Sequence, residues 1–258
     1  MKKIKEAIKE SNKASVIVYF ILRFLVILCL IREICYGNFE NALICVLALI
    51  LFLVPAFLEK TLKIEFPTTL EILIFVFIFS AEILGEINNF YGKYELFDDI
   101  LHAINGFACA SIGFSSVYIL NEKTKSLKLS PFFVALVSFC FSMTIGVLWE
   151  FFEYNADKYL GLDMQKDTYV ENINTVMLDP EESNKVIKIE DIEYTILYDK
   201  DGKELTKIDN YLDLGIHDTM EDLKVNFIGA FVFSIYGYLY TINNKKYKLA
   251  GKFITKKV

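Results

Sequence analysis

Six long apolar runs decide what this chain can become. They cover about residues 15–35, 41–58, 68–87, 99–120, 131–152 and 220–242, each near the roughly 17–25 residues an α-helix needs to cross a bilayer. Apolar side chains surround every run on all sides, as helices facing lipid or buried in a bundle require. Pro67 and Pro131 stand at the starts of the third and fifth runs, where a missing amide proton does no harm. Pro55, near the end of the second, predicts a kink in its last turn. The fold class expected is therefore an all-α polytopic membrane protein, a bundle of about six transmembrane helices. The segment MKKIKEAIKESNK resembles the charged part of a signal peptide, but the run after it is too long and has no small-residue cleavage site. It reads as an uncleaved anchor.

Composition adds a second constraint through its distribution. Of 258 residues, 54% are hydrophobic and the formal charge is −6. Residues 158–217 hold 7 Lys and 14 Asp or Glu, a net of −7, while the rest of the chain is near neutral at +1. That balance excludes a basic nucleic-acid binder. The five cysteines (Cys29, Cys35, Cys45, Cys109 and Cys140) form no C-x-x-C and lie in or beside apolar runs, so they read as small hydrophobes.

Lysine and arginine predict the orientation. With six crossings, the N-terminal segment and the 59–67, 121–130 and 243–258 stretches share one face and hold sixteen basic residues. The short loops on the other face hold only Arg32 and Lys93. Both termini are thereby expected in the cytoplasm of a multi-pass cell-membrane protein, with the acidic segment outside. The expected organisation is 1–157 for transmembrane helices one to five, 158–217 for the extracytoplasmic segment, and 218–258 for helix six with a basic cytoplasmic tail. Within the segment, KVIKIEDIEYTILYDKDGKELTKI alternates apolar and polar residues around Asp199–Gly202, which predicts a β-hairpin. An isolated hairpin is marginal, so it should pack on the membrane body or on a partner.

The polar residues of the runs gather at the outer ends. The third run ends with Glu82, Glu86 and Asn89; the fourth begins with Asp98, Asp99 and His102; the fifth ends with Glu150, Glu153 and Asp157; the sixth begins with Asp218, Asp222 and Asn226. Each set keeps the three- and four-residue spacing of one helix face. Asp98 and Asp218 also suit helix starts. Negative charge at the C-terminal ends of helices, as at Glu82, Glu86, Glu150, Glu153 and Asp157, has no such dipole explanation. Ionisable groups cost about 2.5–3.5 kcal/mol each at a membrane helix centre, so their convergence predicts a shared polar site in the outer leaflet. Arg23, inside the first run, either snorkels to the cytoplasmic face or, as the favoured expectation, pairs with Glu71 or Glu82. Trp149, Tyr91, Tyr94 and Tyr154 fit an interfacial aromatic belt, and His217 reads as a surface residue.

Four stretches carry a family resemblance: PAFLEKTLKIEFPTTLEI, LGEINNFYGKYELFDDILHAINGF, LWEFFEYNADKYLGLDMQ and LGIHDTMEDLKVNFIGA. They resemble the YjdF-type family of bacterial inner-membrane proteins. Its G-E, D-x-x-x-H, W-E-x-x-E and D-T-M-x-D-x-x-x-N-x-x-G-A motifs correspond to Gly85-Glu86, Asp98 to His102, Trp149 to Glu153, and Asp218 to Ala230. A fainter similarity reaches the VanZ-like proteins. The resemblance covers most of residues 50–230, apart from an insertion of some 45 residues between Gln165 and Asp213, and implies an integral membrane protein with no established activity.

Three functions compete for the polar site. The first is a metal-dependent hydrolase or transferase acting on a lipid-linked small molecule. Asp98, Asp99, His102, Glu153 and Asp218 would hold a divalent metal (Mg²⁺, Mn²⁺ or Zn²⁺), with Glu150, Asp157 and Asp222 as catalytic carboxylates. Glu82, Glu86 and Asn226 are further members of the polar layer. The second is cation or proton transport, since crowded carboxylates raise one another's proton affinity. The third is a binding or regulatory protein that uses the acidic segment for recognition.

Overall fold

A computed structural model describes residues 2–62, 64–123 and 128–257, with side chains described over 13–61, 64–121 and 128–255. Part of the basic 121–130 loop, residues 124–127, lies outside the described residues. Two compact units divide the chain: Met1–Val147 with Asp222–Val258, and Leu148–Glu221.

The first unit is helical. Among the described residues, five helical stretches are long and apolar enough to cross a membrane: Lys13–Tyr36, Phe39–Thr61, Phe97–Asn121, Pro131–Leu160 and Ile216–Ile242. The first lies in α1 (Lys2–Tyr36). The second is built from α2 (Phe39–Leu51) and α3 (Val54–Leu62). Pro55 has no amide to offer the carbonyl of Leu51, so the helix is interrupted at Phe52–Leu53 and restarts, which places the break within the stretch and not in its last turn.

The third apolar run departs from a plain helix. After the short strand β1 (Ile64–Glu65), Pro67 is extended, and α4 (Thr68–Phe79) follows. At Ser80 the hydrogen bonding switches to a π-helix, Ser80–Ile87. The α-helical part alone is about 18 Å long by its rise, short of a hydrocarbon core of about 30 Å. The two parts together still traverse the unit. The strand before α4 pairs with β8 (Lys256–Lys257), and the adjoining Thr255 amide donates to Ser115 Oγ at 3.0 Å. Ser115 lies about 27 Å along α6 (Phe97–Lys123) from its start. The π-helix, in contrast, leads through α5 (Phe90–Lys93) to that start, where the Phe90 and Tyr91 rings meet Phe97 at 5.3 and 5.5 Å.

Two apolar cores hold this unit. Val26 and Cys29 of α1, Cys45 and Ala48 of α2, and Phe75 and Ile78 of α4 form one. Ala110 and Phe114 of α6, Val134 of α7 (Pro131–Leu160), and Ala230 and Phe233 of α8 (Ile216–Ile242) form the other. The segment expected as a basic tail joins this second core. A 3₁₀ turn at Ala250–Lys252 brings Phe253 to 5.0 Å from the Phe107 ring, and Ala250, Ile254 and Thr255 are buried. Meanwhile Ile17, Phe20 and Phe24 of α1 and Phe227, Ile228 and Phe231 of α8 are exposed, which suits surfaces covered by lipid.

The Leu148–Glu221 unit contains three two-stranded antiparallel sheets. β2 (Thr168–Val170) pairs with β7 (Tyr211–Asp213), β3 (Ile173–Thr175) with β4 (Ile187–Ile189), and β5 (Tyr194–Tyr198) with β6 (Glu204–Asp209). The last pair is the expected hairpin. Its turn is closed by Asp199 Oδ1, which accepts the Asp201 and Lys203 amides at 2.9 and 2.8 Å, and by Gly202 at φ +77°. Asp179 organises a second turn by accepting the Ser183 and Lys185 amides at 2.9 and 3.0 Å and the Ser183 hydroxyl at 2.8 Å. The Lys185 amide first, then the Ser183 hydroxyl, hold its carboxyl below the ordinary aspartate pKa.

Candidate functional site: a carboxylate–histidine cluster between α6 and α8

Two glycines let α6 and α8 touch backbone to backbone. A Cβ at Gly229 would lie 2.0 Å from the Ala103 carbonyl oxygen, and one at Gly106 would lie 2.2 Å from that of Asn226. Small residues allow this approach in membrane bundles. The buried serines Ser142 and Ser138 of α7 tie in by donating to the carbonyls of Gly106 and Ala110, both at 2.7 Å, so no hydroxyl proton is left unused in the contact.

That crossing sets one histidine against two carboxylates. His102 Nε2 lies 3.5 Å from Asp98 Oδ1, one turn earlier on α6, and 3.5 Å from Asp222 Oδ2 on α8. One ligand atom from each residue falls within 4.8 Å of the other two. Side-chain exposure declines from 30% at Asp98 through 12% at His102 to 4% at Asp222, so the cluster opens on the Asp98 side. The contacts are long for hydrogen bonds. They match the roughly 3.4 Å edge of a tetrahedron with metal–ligand bonds of about 2.1 Å. One turn deeper, Asn226 is 1% exposed. Its Nδ2 reaches Met143 Sδ at 3.6 Å, and its Oδ1 has no hydrogen-bond partner among the described residues.

The remaining residues expected at the site are placed as follows. Asp99 lies beside Asp98 in the first turn of α6, and Asp98 is one turn before His102, 3.5 Å from its Nε2. Glu82 and Glu86 lie on the π-helix, partly buried and exposed respectively, and do not enter the Asp98–His102–Asp222 group. Gly85 between them receives the Tyr91 ring, which a Cβ would meet at 2.3 Å. This contact accounts for the glycine there. Arg23 forms no ion pair among the described residues and donates instead to the Tyr19 hydroxyl.

In the Leu148–Glu221 unit, Asp157 and Asp218 act on the backbone. Asp157 accepts the Met164 and Gln165 amides at 2.6 and 2.9 Å, and Asp218 accepts the Lys166 amide at 2.8 Å. Together they strap residues 164–166, where Gly215 (φ +84°) lets Gln165 approach. Glu150 and Glu153 are buried one turn apart on α7, with carboxylate oxygens within 4.8 Å of each other, and Glu153 Oε1 accepts Trp149 Nε1 at 2.9 Å. His217 is exposed, with Nδ1 3.2 Å from Asp213.

Two buried carboxylates escaped the sequence reading, Asp179 of the turn described above and Glu33. Glu33, 3% exposed, accepts Arg32 Nε at 2.6 Å and the side-chain amides of Asn38 and Asn41 at 3.0 and 3.1 Å. It fastens the turn between α1 and α2. The available signal was an acidic residue flanked by Arg32 and followed by two asparagines across Gly37.

An uncharacterized protein of Thermotoga maritima is 31% identical over 106 residues, 41% of this chain and 53% of that protein. The chain thus spans about half the length of this curated relative. No solved structure matches the chain. Residues 14–243 match the model of the family described as predicted membrane protein (DUF2238), and the chain belongs to that family of multi-pass membrane proteins.

Proposed function

We propose that Asp98, His102 and Asp222 form a divalent-metal site, open to the non-cytoplasmic side, in a hydrolase or transferase acting on a lipid-linked substrate. The observation that carries this reading is the pair of 3.5 Å contacts to one histidine nitrogen, from carboxylates on two helices. An imidazole in the donor set favours Zn²⁺ or Mn²⁺ over Mg²⁺, which prefers oxygen and retained waters. Bound there, such an ion supplies Lewis-acid activation of a phosphoryl or acyl oxygen. Asp222, almost fully buried, anchors the cluster, and Asp98, the most exposed of the three, lies on the approach to it.

The orientation rests on the sixteen-to-two distribution of Lys and Arg. The β1–β8 pairing adds support, because it joins two of the basic segments at one end of the bundle. On that basis both termini are cytoplasmic and the Leu148–Glu221 unit faces outward. The motifs from Gly85 to Ala230 support the narrower YjdF-type resemblance, and more faintly the VanZ-like one.

The test is hydrolysis or head-group transfer on lipid phosphates and acyl lipids by purified protein. Activity abolished by chelation, restored by Zn²⁺ or Mn²⁺ and absent in His102→Ala is expected. Activity indifferent to chelation contradicts the reading.

A second reading draws on Glu150 and Glu153. Two buried carboxylates within 4.8 Å repel when both are ionised, an arrangement suited to holding a proton or cation. Cation or proton flux in proteoliposomes that vanishes in Glu150→Gln would favour it.

A further inference from the structure

α6 presents two working faces on either side of His102. Ala103, Gly106 and Ala110 face α8 and the second core. Asn105, Ala108, Cys109 and Ile112 instead line a crevice of about 230 Å³, closed by Val54, Pro55 and Leu58 around the α2–α3 break and by Leu73, Ile74 and Phe77 of α4. Asp98, His102, Asn105 and Cys109 follow one another at spacings of four, three and four residues, so they form a single stripe on the helix. The carboxylate–histidine cluster thus shares the stripe with the crevice lining, His102 preceding Asn105 of that lining by three residues.

The geometry points to a binding site for a single hydrocarbon chain of an amphiphilic lipid, lying in this crevice with its polar head at Asp98 and His102. This assignment rests on the metal-site reading and names its substrate class. Three observations support a lipid chain as the occupant. Its α3 and α6 walls belong to stretches long and apolar enough to cross a membrane, where hydrocarbon is the surrounding solvent. Its lining is aliphatic and aromatic except for Asn105 and Cys109, and the Cys109 thiol turns to Asn105 Oδ1 at 3.5 Å. Along α6 it runs from Ile104 to Ile112, about 12 Å by the helical rise, which suits an extended chain better than a compact solute. A metal at the cluster would complement an anionic head group, while the crevice would hold the attached chain by van der Waals packing.

The test uses the full-length protein in nanodiscs with a phospholipid carrying a diazirine midway along one acyl chain. Photolabelling is expected to concentrate on residues 104–112 and 73–77, and to fall at least fivefold in Ala108→Trp, which fills the crevice. Ala108→Leu serves as the milder filling if the tryptophan variant does not fold. Labels spread evenly over the exposed faces of α1 and α8, or unchanged by either filling, overturn the proposal. Metal content measured on the same samples separates the two readings. Metal retained with labelling lost on filling supports the crevice, whereas metal absent with labelling still concentrated in the crevice overturns the metal-site reading alone.

Discussion

His102 and Asp222 meet across two helices, with Nε2 3.5 Å from a carboxylate oxygen that is almost fully buried. The meeting depends on the glycines below it. Gly229 lies one turn and three residues beyond Asp222, and Gly106 lies one turn beyond His102. Without their close packing, α8 could not bring its carboxylate this near.

Gly229→Leu should therefore act at a distance. Its side chain would meet the Ala103 carbonyl and force α6 and α8 apart, costing about 1–3 kcal/mol as an overpacked core does. A lower unfolding temperature in detergent and a loss of metal affinity are expected together. A variant that loses neither would show that the two helices separate without consequence for the cluster.

Glu33→Ala removes the acceptor for Arg32, Asn38 and Asn41 in a buried turn. Hydrogen bonds to charged groups contribute roughly 1.5–3 kcal/mol, so a loss of stability of about that size is expected by thermal or denaturant unfolding. Metal content should stay at the wild-type level, because Glu33 lies outside the Asp98–His102–Asp222 group.

Much of this fold was legible in the sequence. The apolar runs gave the helices, and Asp199–Gly202 gave the hairpin turn. The π-helix was not legible, because SAEILGEI satisfies an α-helical pattern equally well and the switch lies in its hydrogen bonding. The carboxy-terminal segment was concealed by its lysines: Phe253 and Ile254 are flanked by basic residues, and only tertiary packing reveals that they are buried. At the site, the spacing set His102 one turn from either Asp98 or Asp99, and Asp157 and Asp218 looked equally suited to chemistry. Their carboxylates bind backbone amides at 164–166, a use that no spacing rule records.

Asp157→Asn should loosen that strap. An asparagine would set its amide donor against one of the two backbone amides that Asp157 now accepts, leaving a donor unsatisfied at a cost of about 1–3 kcal/mol. Faster hydrogen exchange at Met164, Gln165 and Lys166 is expected, with the hairpin at 194–209 unaffected. Unchanged exchange at these amides would remove Asp157 from this role.

Asp179 provides a pH signature outside the membrane. Its carboxyl is held below the ordinary aspartate value, so the turn is stabilised above about pH 3.9 and loses that support as pH falls through the lowered folded-state value. The Ser183 and Lys185 amides should be protected from exchange near neutral pH and lose protection in acid. Asp179→Asn should weaken protection at neutral pH and remove most of its pH dependence.

The most direct test of the central claim is metal stoichiometry in the purified, folded protein. Elemental analysis should find about one Zn²⁺ or Mn²⁺ per chain at a site of this kind. His102→Ala and Asp222→Asn should each weaken affinity roughly tenfold or more while the protein stays folded. A folded wild type that takes up no divalent metal, or equal uptake in all three proteins, contradicts a metal site at Asp98, His102 and Asp222.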